Sequence, residues 1–206
     1  MMKKMFTALI LMSVSQAFAQ DNLINALANN QGKDVQKYYQ IKPIFAIGVT
    51  DVKDQGHSGT CWSYAGSSFL ESEMIKKKKQ PVDLEEIYTA RKVYLEKAIN
   101  YLRMHGALTF ADGGELHDVI NMYHKYGAVP QSAYSGLING ATKNNFKEMR
   151  QELEAYVKEI VTTKKVPDNW KEVFEQKMDS YLGAVPQTFI YNGKMYNPHT
   201  FAKEVV

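Results

Sequence analysis

Cysteine is all but missing: Cys61 is the single one in 206 residues. One thiol cannot close an internal disulfide, so no disulfide framework supports this fold. Cys61 is therefore buried and inert, paired with another chain, or chemically employed, and taken alone a free cysteine is more often a small buried hydrophobe. A large charge imbalance is missing too. The chain has 25 Lys+Arg and 22 Asp+Glu, and without Lys3 and Lys4 the balance is 23 (25 less 2) against 22. Such a surface gives no electrostatic case for a nucleic-acid or membrane partner. There is no internal repeat and no low-complexity tract. Long apolar runs are missing beyond residues 5–14, and that run is about half of the roughly 20 residues a spanning helix needs.

What is present begins with a leader. Lys3 and Lys4, the apolar run 5–14 and the small-x-small pattern Ala17-Phe18-Ala19 read as a secretory signal peptide over residues 1–19. The mature chain is expected to start near Gln20 and to be exported, periplasmic or secreted. No cysteine stands just after the cleavage site, which argues against a lipid anchor there. Residues 20–40, rich in Asn, Gln and Asp, read as an N-terminal arm. With 45% hydrophobic residues the remainder can bury one good core or two small ones.

From residue 41 the pattern is mostly helical. Trp62, Ala65, Phe69, Leu70 and Met74 recur at helical spacing, which predicts a helix burying that face with Glu71 and Glu73 outward. Lys76 to Lys79 then complement the negative end of its dipole. Asp83 and Glu86 read as an aspartate form of the capping box before a long amphipathic helix carrying Ile87, Tyr94, Leu95 and Leu102 and stopping at Gly106. A helix over 115–126 with Leu116, Val119, Ile120 and Tyr123 on one face ends at Gly127 and Pro130. Helical stripes follow over 146–161 and 170–182. Residues 188–196 read as strand, Asn192-Gly193 turn, strand, and Pro198 opens a last helix.

Cys61 lies at the start of the first of these helices, after Gly59. A helix start stabilises a thiolate through its unpaired N–H groups and dipole. Acyl transfer also needs donors aimed at the developing oxyanion, a task that side-chain amides share with backbone N–H groups. Gln55 precedes Cys61 by six positions across a glycine turn, a spacing that lets its amide fold back beside the sulfur.

The stretch VTDVKDQGHSGTCWSYA resembles the active-site segment of papain-like cysteine peptidases, with glutamine, glycine turn, cysteine and tryptophan in that order. The family signature C-G-[SA]-C-[WY] reads here Ser58-Gly59-Thr60-Cys61-Trp62, with its first cysteine replaced by Ser58. SGTCWSYAGSSFLESE and FADGGELHDVINMYHKYGAVPQSAY look like the bleomycin hydrolase and aminopeptidase C group within that family. The resemblance implies an α+β papain-like fold, of which residues 41–206 supply the helical, cysteine-bearing half and the strand-rich half is missing. It implies Cys61 as nucleophile, Gln55 in the oxyanion hole, and Gly113 and Gly114 lining the cleft against the substrate backbone. Alone, that glycine pair reads equally as a tight turn before a helix. The implied partner is a peptide substrate cleaved from its N-terminus, with no cofactor, no metal and a homo-oligomeric assembly.

A thiol peptidase also needs a base, normally histidine oriented by asparagine or aspartate. His57, His105, His117 and His124 read as turn or helix-surface residues. His199, 138 positions after Cys61, has the right separation, but Pro198 before it and Thr200-Phe201-Ala202-Lys203 after it read as helix, whereas the family has a strand there. The expectation is a nucleophile without its base, in a chain that is part of a larger peptidase. The competing expectation is a non-catalytic binding or scaffold module of the same fold.

Overall fold

The structure is a computed structural model that describes residues 44–206. The signal peptide and N-terminal arm expected over 1–40 lie outside the described residues. The chain divides into Met1–Ala46 and Ile47–Val206, and every described helix and strand belongs to the second unit. Among the described residues no helix is long and apolar enough to cross a membrane.

Six helices and one hairpin occur in order: α1 (Cys61–Lys76), α2 (Glu86–Arg103), α3 (Leu116–Tyr126), α4 (Lys147–Thr163), α5 (Trp170–Leu182), β1 (Phe189–Tyr191), β2 (Lys194–Tyr196) and α6 (Pro198–Glu204). α2 is central: α1 and α3 pack on one part of it, α4 and α5 on another, and α6 packs on α3 and β2. Of its expected apolar stripe, Ile87, Tyr94 and Leu95 are at most 6% exposed and Leu102 is half-buried. Against it lie Leu153, Val157 and Ile160 of α4 and Phe174 and Met178 of α5. Phe110 ties these layers together, its ring 5.7 Å from Tyr94 and 6.3 Å from Phe174 between centroids, in the tilted and edge-on arrangements aromatic pairs prefer.

The hairpin forms as its sequence predicts. Asn192 and Gly193 both adopt positive φ (48° and 78°), the type I′ geometry that matches strand twist. A lone two-stranded hairpin is marginal in water. Here the fully buried Phe201 of α6 supplies a floor, edge-on to Phe189, Tyr191 and Tyr196 at 5.1–5.7 Å. Full burial of one such ring is worth about 1.5–3 kcal/mol. α6 in turn starts against Gly127, where a Cβ would lie 2.2 Å from the Pro198 carbonyl carbon.

One local expectation holds only in part and one fails. α1 forms and buries Trp62 and Met74 as expected, but its buried seam also takes in Ser63, Ser67 and Glu71, while Leu70 is half-buried, Ala65 is exposed and Phe69 is 49% exposed. The polar side chains are buried because each has a partner: Ser63 donates to the Glu86 carbonyl (2.8 Å), Ser67 meets the Tyr123 hydroxyl (3.2 Å), and Glu71 accepts from the Leu84 N–H (2.7 Å) and from Thr50. Gly66 completes the seam, since a Cβ there would lie 2.6 Å from Val119.

Nor do Asp83 and Glu86 form a capping box. Glu85 caps α2, accepting from the Ile87 N–H (3.0 Å). Asp83 and Glu86 both pair with Lys53, which also donates to the Leu84 carbonyl. Burial works against the Lys53 charge, but these two carboxylates outweigh it and hold the ammonium well above lysine's ordinary range. On α3, Met122 and Val119 are buried while Leu116 and Ile120 stay 44% and 38% exposed.

Candidate active site

The turn before α1 is locked from within. Gln55 donates from Nε2 to the Ser58 carbonyl (2.8 Å), Ser58 Oγ donates back to the Gln55 carbonyl (2.8 Å), and Ser58 Oγ meets Thr60 Oγ1 at 2.5 Å. Gly56 takes φ +63° against the Asn144 carbonyl, where any Cβ would come within 2.5 Å. The next residue pairs with the same strand-like segment: His57 N–H donates to Asn144 O (2.7 Å) and Phe146 N–H donates to His57 O (3.2 Å). The loop is therefore fixed by its own hydrogen bonds.

Cys61 is the first residue of α1, and it is exposed. Thr60 at the cap makes no side-chain hydrogen bond to the helix; its carbonyl accepts from Ser63 and Tyr64 N–H (2.8 and 3.2 Å). Among the described residues the Cys61 and Trp62 N–H groups have no acceptor, as the geometry of a helix start dictates. Gln55 uses one Nε2 hydrogen on Ser58 and keeps the other. Unpaired donors, a helix N-terminus and an exposed sulfur thus occur on one short stretch.

The glycine pair is brought to the same place. A Cβ at Gly114 would sit 2.6 Å from the Trp62 indole, so only glycine lets the chain pass over that ring. Trp62 Nε1 donates to the Asp112 carbonyl (3.0 Å), and the Gly59 N–H donates to Asp112 Oδ2 (3.2 Å). Lys97 donates to the Ala111 carbonyl (2.5 Å) and to that of Gly113. Gly113 is exposed, and among the described residues the main chain of Gly114 has no hydrogen-bond partner.

The histidines are distributed elsewhere. His199 and His124 line a depression of about 550 Å³ with Leu70, Ile120 and Tyr123. Leu70 lies nine residues along α1 from Cys61, about 13 Å of helix. His105 lines another depression with Leu102 and Ile160, and His117 is exposed beside Glu115 and Asp118. His57 is exposed in the turn itself. Among the described residues no group of three His, Cys, Asp or Glu side chains is arranged to hold a metal ion. Sequence reasoning missed Asp112, whose partners Gly59 and Trp62 lie 53 and 50 positions away; its place just before the glycine pair is the one local sign.

No protein-family model matches the chain. In sequence it is 47% identical to a cathepsin L-like peptidase of Aedes aegypti over 38 residues, 18% of this chain and 11% of that protein. It is 27% identical to cathepsin L of Sarcophaga peregrina over 117 residues (56% and 34%), and 30% identical to cathepsin L1 of Drosophila melanogaster over 119 residues (56% and 32%). In structure it matches PepW of Lactobacillus rhamnosis HN001 with a TM-score of 0.53 at 21% identity, over 91% of this chain and 52% of that one. The chain is thus distantly similar to cathepsin L-type peptidases and shares its helix-rich fold with PepW. It spans about a third or less of those curated relatives and about half of PepW.

Proposed function

We propose that residues 41–206 are the nucleophile-bearing half of a papain-like cysteine peptidase, of the bleomycin hydrolase and aminopeptidase C kind. The observation that carries this reading is the exposed sulfur of Cys61 on the first turn of α1, beside unpaired N–H groups, with the Gly113-Gly114 segment anchored to the adjacent Trp62. The distant likeness to cathepsin L and the fold shared with PepW support it.

In this reading the Cys61 thiolate attacks a peptide carbonyl carbon and forms a C–S bond. The Cys61 N–H and the second Nε2 hydrogen of Gln55 receive the oxyanion, in the manner of preorganised donors. Collapse breaks the C–N bond, the amine leaves with a proton from the base, and water hydrolyses the thioester to restore the thiolate. Gly113 and Gly114 run beside the extended substrate. The base is assigned to a histidine, held by an asparagine, in a strand-rich half not represented in residues 41–206; His199 on α6 is not assigned that role. Export, removal of N-terminal residues and assembly into homo-oligomers are part of the same proposal.

The test is covalent labelling. A peptidyl epoxide is expected to add once, at Cys61, faster than a non-peptidyl epoxide of similar reactivity, and not at all to Cys61→Ala. Equal rates for the two epoxides would defeat the peptidase reading. Amide turnover by this chain alone, abolished by Cys61→Ala, would overturn the assignment of the base to another half.

A further inference from the structure

The groups around Cys61 converge on one side chain that has no step in the peptidase chemistry. Asp112 is largely buried, its side chain 18% exposed. Its Oδ2 accepts from the Gly59 N–H (3.2 Å), two positions before the sulfur, and its Oδ1 accepts from the Tyr94 hydroxyl (2.7 Å) and faces Arg150 Nε (3.6 Å). Its carbonyl accepts from Trp62 Nε1 (3.0 Å), one position after the sulfur. The fit is tight on one side, since a Cβ on Gly59 would come within 2.5 Å of the Asp112 Cβ. On the other side Asp112 is bonded directly to Gly113. Among the described residues it alone holds both flanks of Cys61 and is covalently continuous with the glycine pair.

Tyr94 fixes the carboxylate from α2. Burial first, and the bond to Asp112 next, hold the Tyr94 phenol well above its ordinary range, so it stays a donor. Arg150 on α4 balances the charge. The carboxylate is thereby tied to α2, to α4 and to the turn before α1.

We propose that Asp112 is a positioning residue: it sets the spacing between the Cys61 turn and the Gly113-Gly114 segment, and so the site's preference for extended peptides over small electrophiles. This rests on the peptidase reading. A small alkylating agent needs only the sulfur. An extended peptide must present its carbonyl to the sulfur while its backbone lies on the glycine pair, and misplacement by about 1 Å is enough to lose a hundredfold in such a two-point fit.

The experiment compares second-order rates of Cys61 modification by a peptidyl epoxide and by iodoacetamide in the full chain, with circular dichroism as the check on folding. Asp112→Asn keeps size and main-chain carbonyl but places an amide N–H₂ where one donor now points. It is expected to lower the ratio of the two rates by at least about tenfold while the iodoacetamide rate stays within about twofold. Tyr94→Phe, which frees the carboxylate on one side only, is expected to lower the ratio by less and carries the test if Asp112→Asn does not fold. A peptide-selective wild type with unchanged ratios in both variants overturns the proposal, and so do parallel falls in both rates or loss of the fold in both. A wild type with no peptide preference overturns the peptidase reading instead.

Discussion

Along α1 and the turn before it, side chains are held by directional bonds to main chain: Gln55 to Ser58, Trp62 to Asp112, Ser63 to Glu86 and Glu71 to Leu84. Across α2, α4 and α5 the contacts are rings and aliphatic chains, with Phe110 and Phe174 edge-on at 6.3 Å and Leu153, Val157 and Met178 fully buried. One hydrogen bond contributes about 0.5–1.5 kcal/mol net, less than the roughly 1.5–3 kcal/mol from burying one large apolar side chain. The two regions therefore divide the work: the apolar layer supplies most of the stability, and the polar seam fixes where Cys61 sits. Polar links also cross this layer: Arg91, 2% exposed, is bonded to Asp179, Tyr134 and the Gly183 carbonyl, and the less buried pairs Lys92–Glu175 and Lys177–Glu152 join α2 to α5 and α5 to α4.

The widest separation of the two regions is expected from Phe174→Ala. Phe174 is fully buried and lies edge-on to both Phe110 and Trp170. Its loss is expected to destabilise the chain by about 3–5 kcal/mol in denaturant titration. Labelling of Cys61 in the fraction that remains folded should keep its wild-type preference; a lost preference in folded protein would show that the apolar layer also sets the site.

Glu71 tests the polar side of the contrast. Glu71→Ala removes the acceptor of the buried Leu84 N–H and is expected to destabilise by about 1–3 kcal/mol. Glu71→Leu restores apolar volume but leaves that N–H unpaired, so it should not recover the loss. Full recovery by leucine would mean that volume, not the bond, holds the seam.

Those two positions also mark what the sequence makes legible. The stripe of α2, the Asn192-Gly193 hairpin, the stop at Gly127 and the helix beginning at Cys61 all rest on local chemistry, and each stands in the structure within a residue or two. Local chemistry says nothing of partners far along the chain. Glu71 reads as outward, and Ser63 and Ser67 go unnoticed, because their acceptors and donors, from Leu84 to Tyr123, lie 13 to 56 positions away. Asp112 is hidden for the same reason, and Asp83 and Glu86 imitate a cap in sequence because Lys53, the partner of both, is 33 positions from Glu86.

A slope with pH also separates the regions. Burial, ahead of the Glu86 charge, pushes the Glu85 carboxyl up to about 8, against the bond from the Ile87 N–H. Between its ordinary value near 4.5 and about 8 the folded chain keeps a proton that the unfolded chain has released. Stability should therefore fall as pH rises through that window, by at most about 1.4 kcal/mol per pH unit for this group, and level off above it. Glu85→Gln, which keeps an acceptor for Ile87, is expected to remove that slope in thermal melts from pH 5 to 8. A slope unchanged in the variant would assign it to other groups.

The smallest expected effect decides between two descriptions of α1. Its apolar spacing assigns Phe69 to the core, where truncation would cost about 3–5 kcal/mol. The structure leaves Phe69 49% exposed and buries Gly66, Ser67 and Glu71 instead. A half-exposed ring has little left to lose, so Phe69→Ala should change stability by less than about 1 kcal/mol. Measured beside Phe174→Ala under the same conditions, the same chemical deletion on two helices then reads out their different surroundings directly. Equal losses at the two positions would restore the apolar face to α1 and remove the polar seam as the feature that places Cys61.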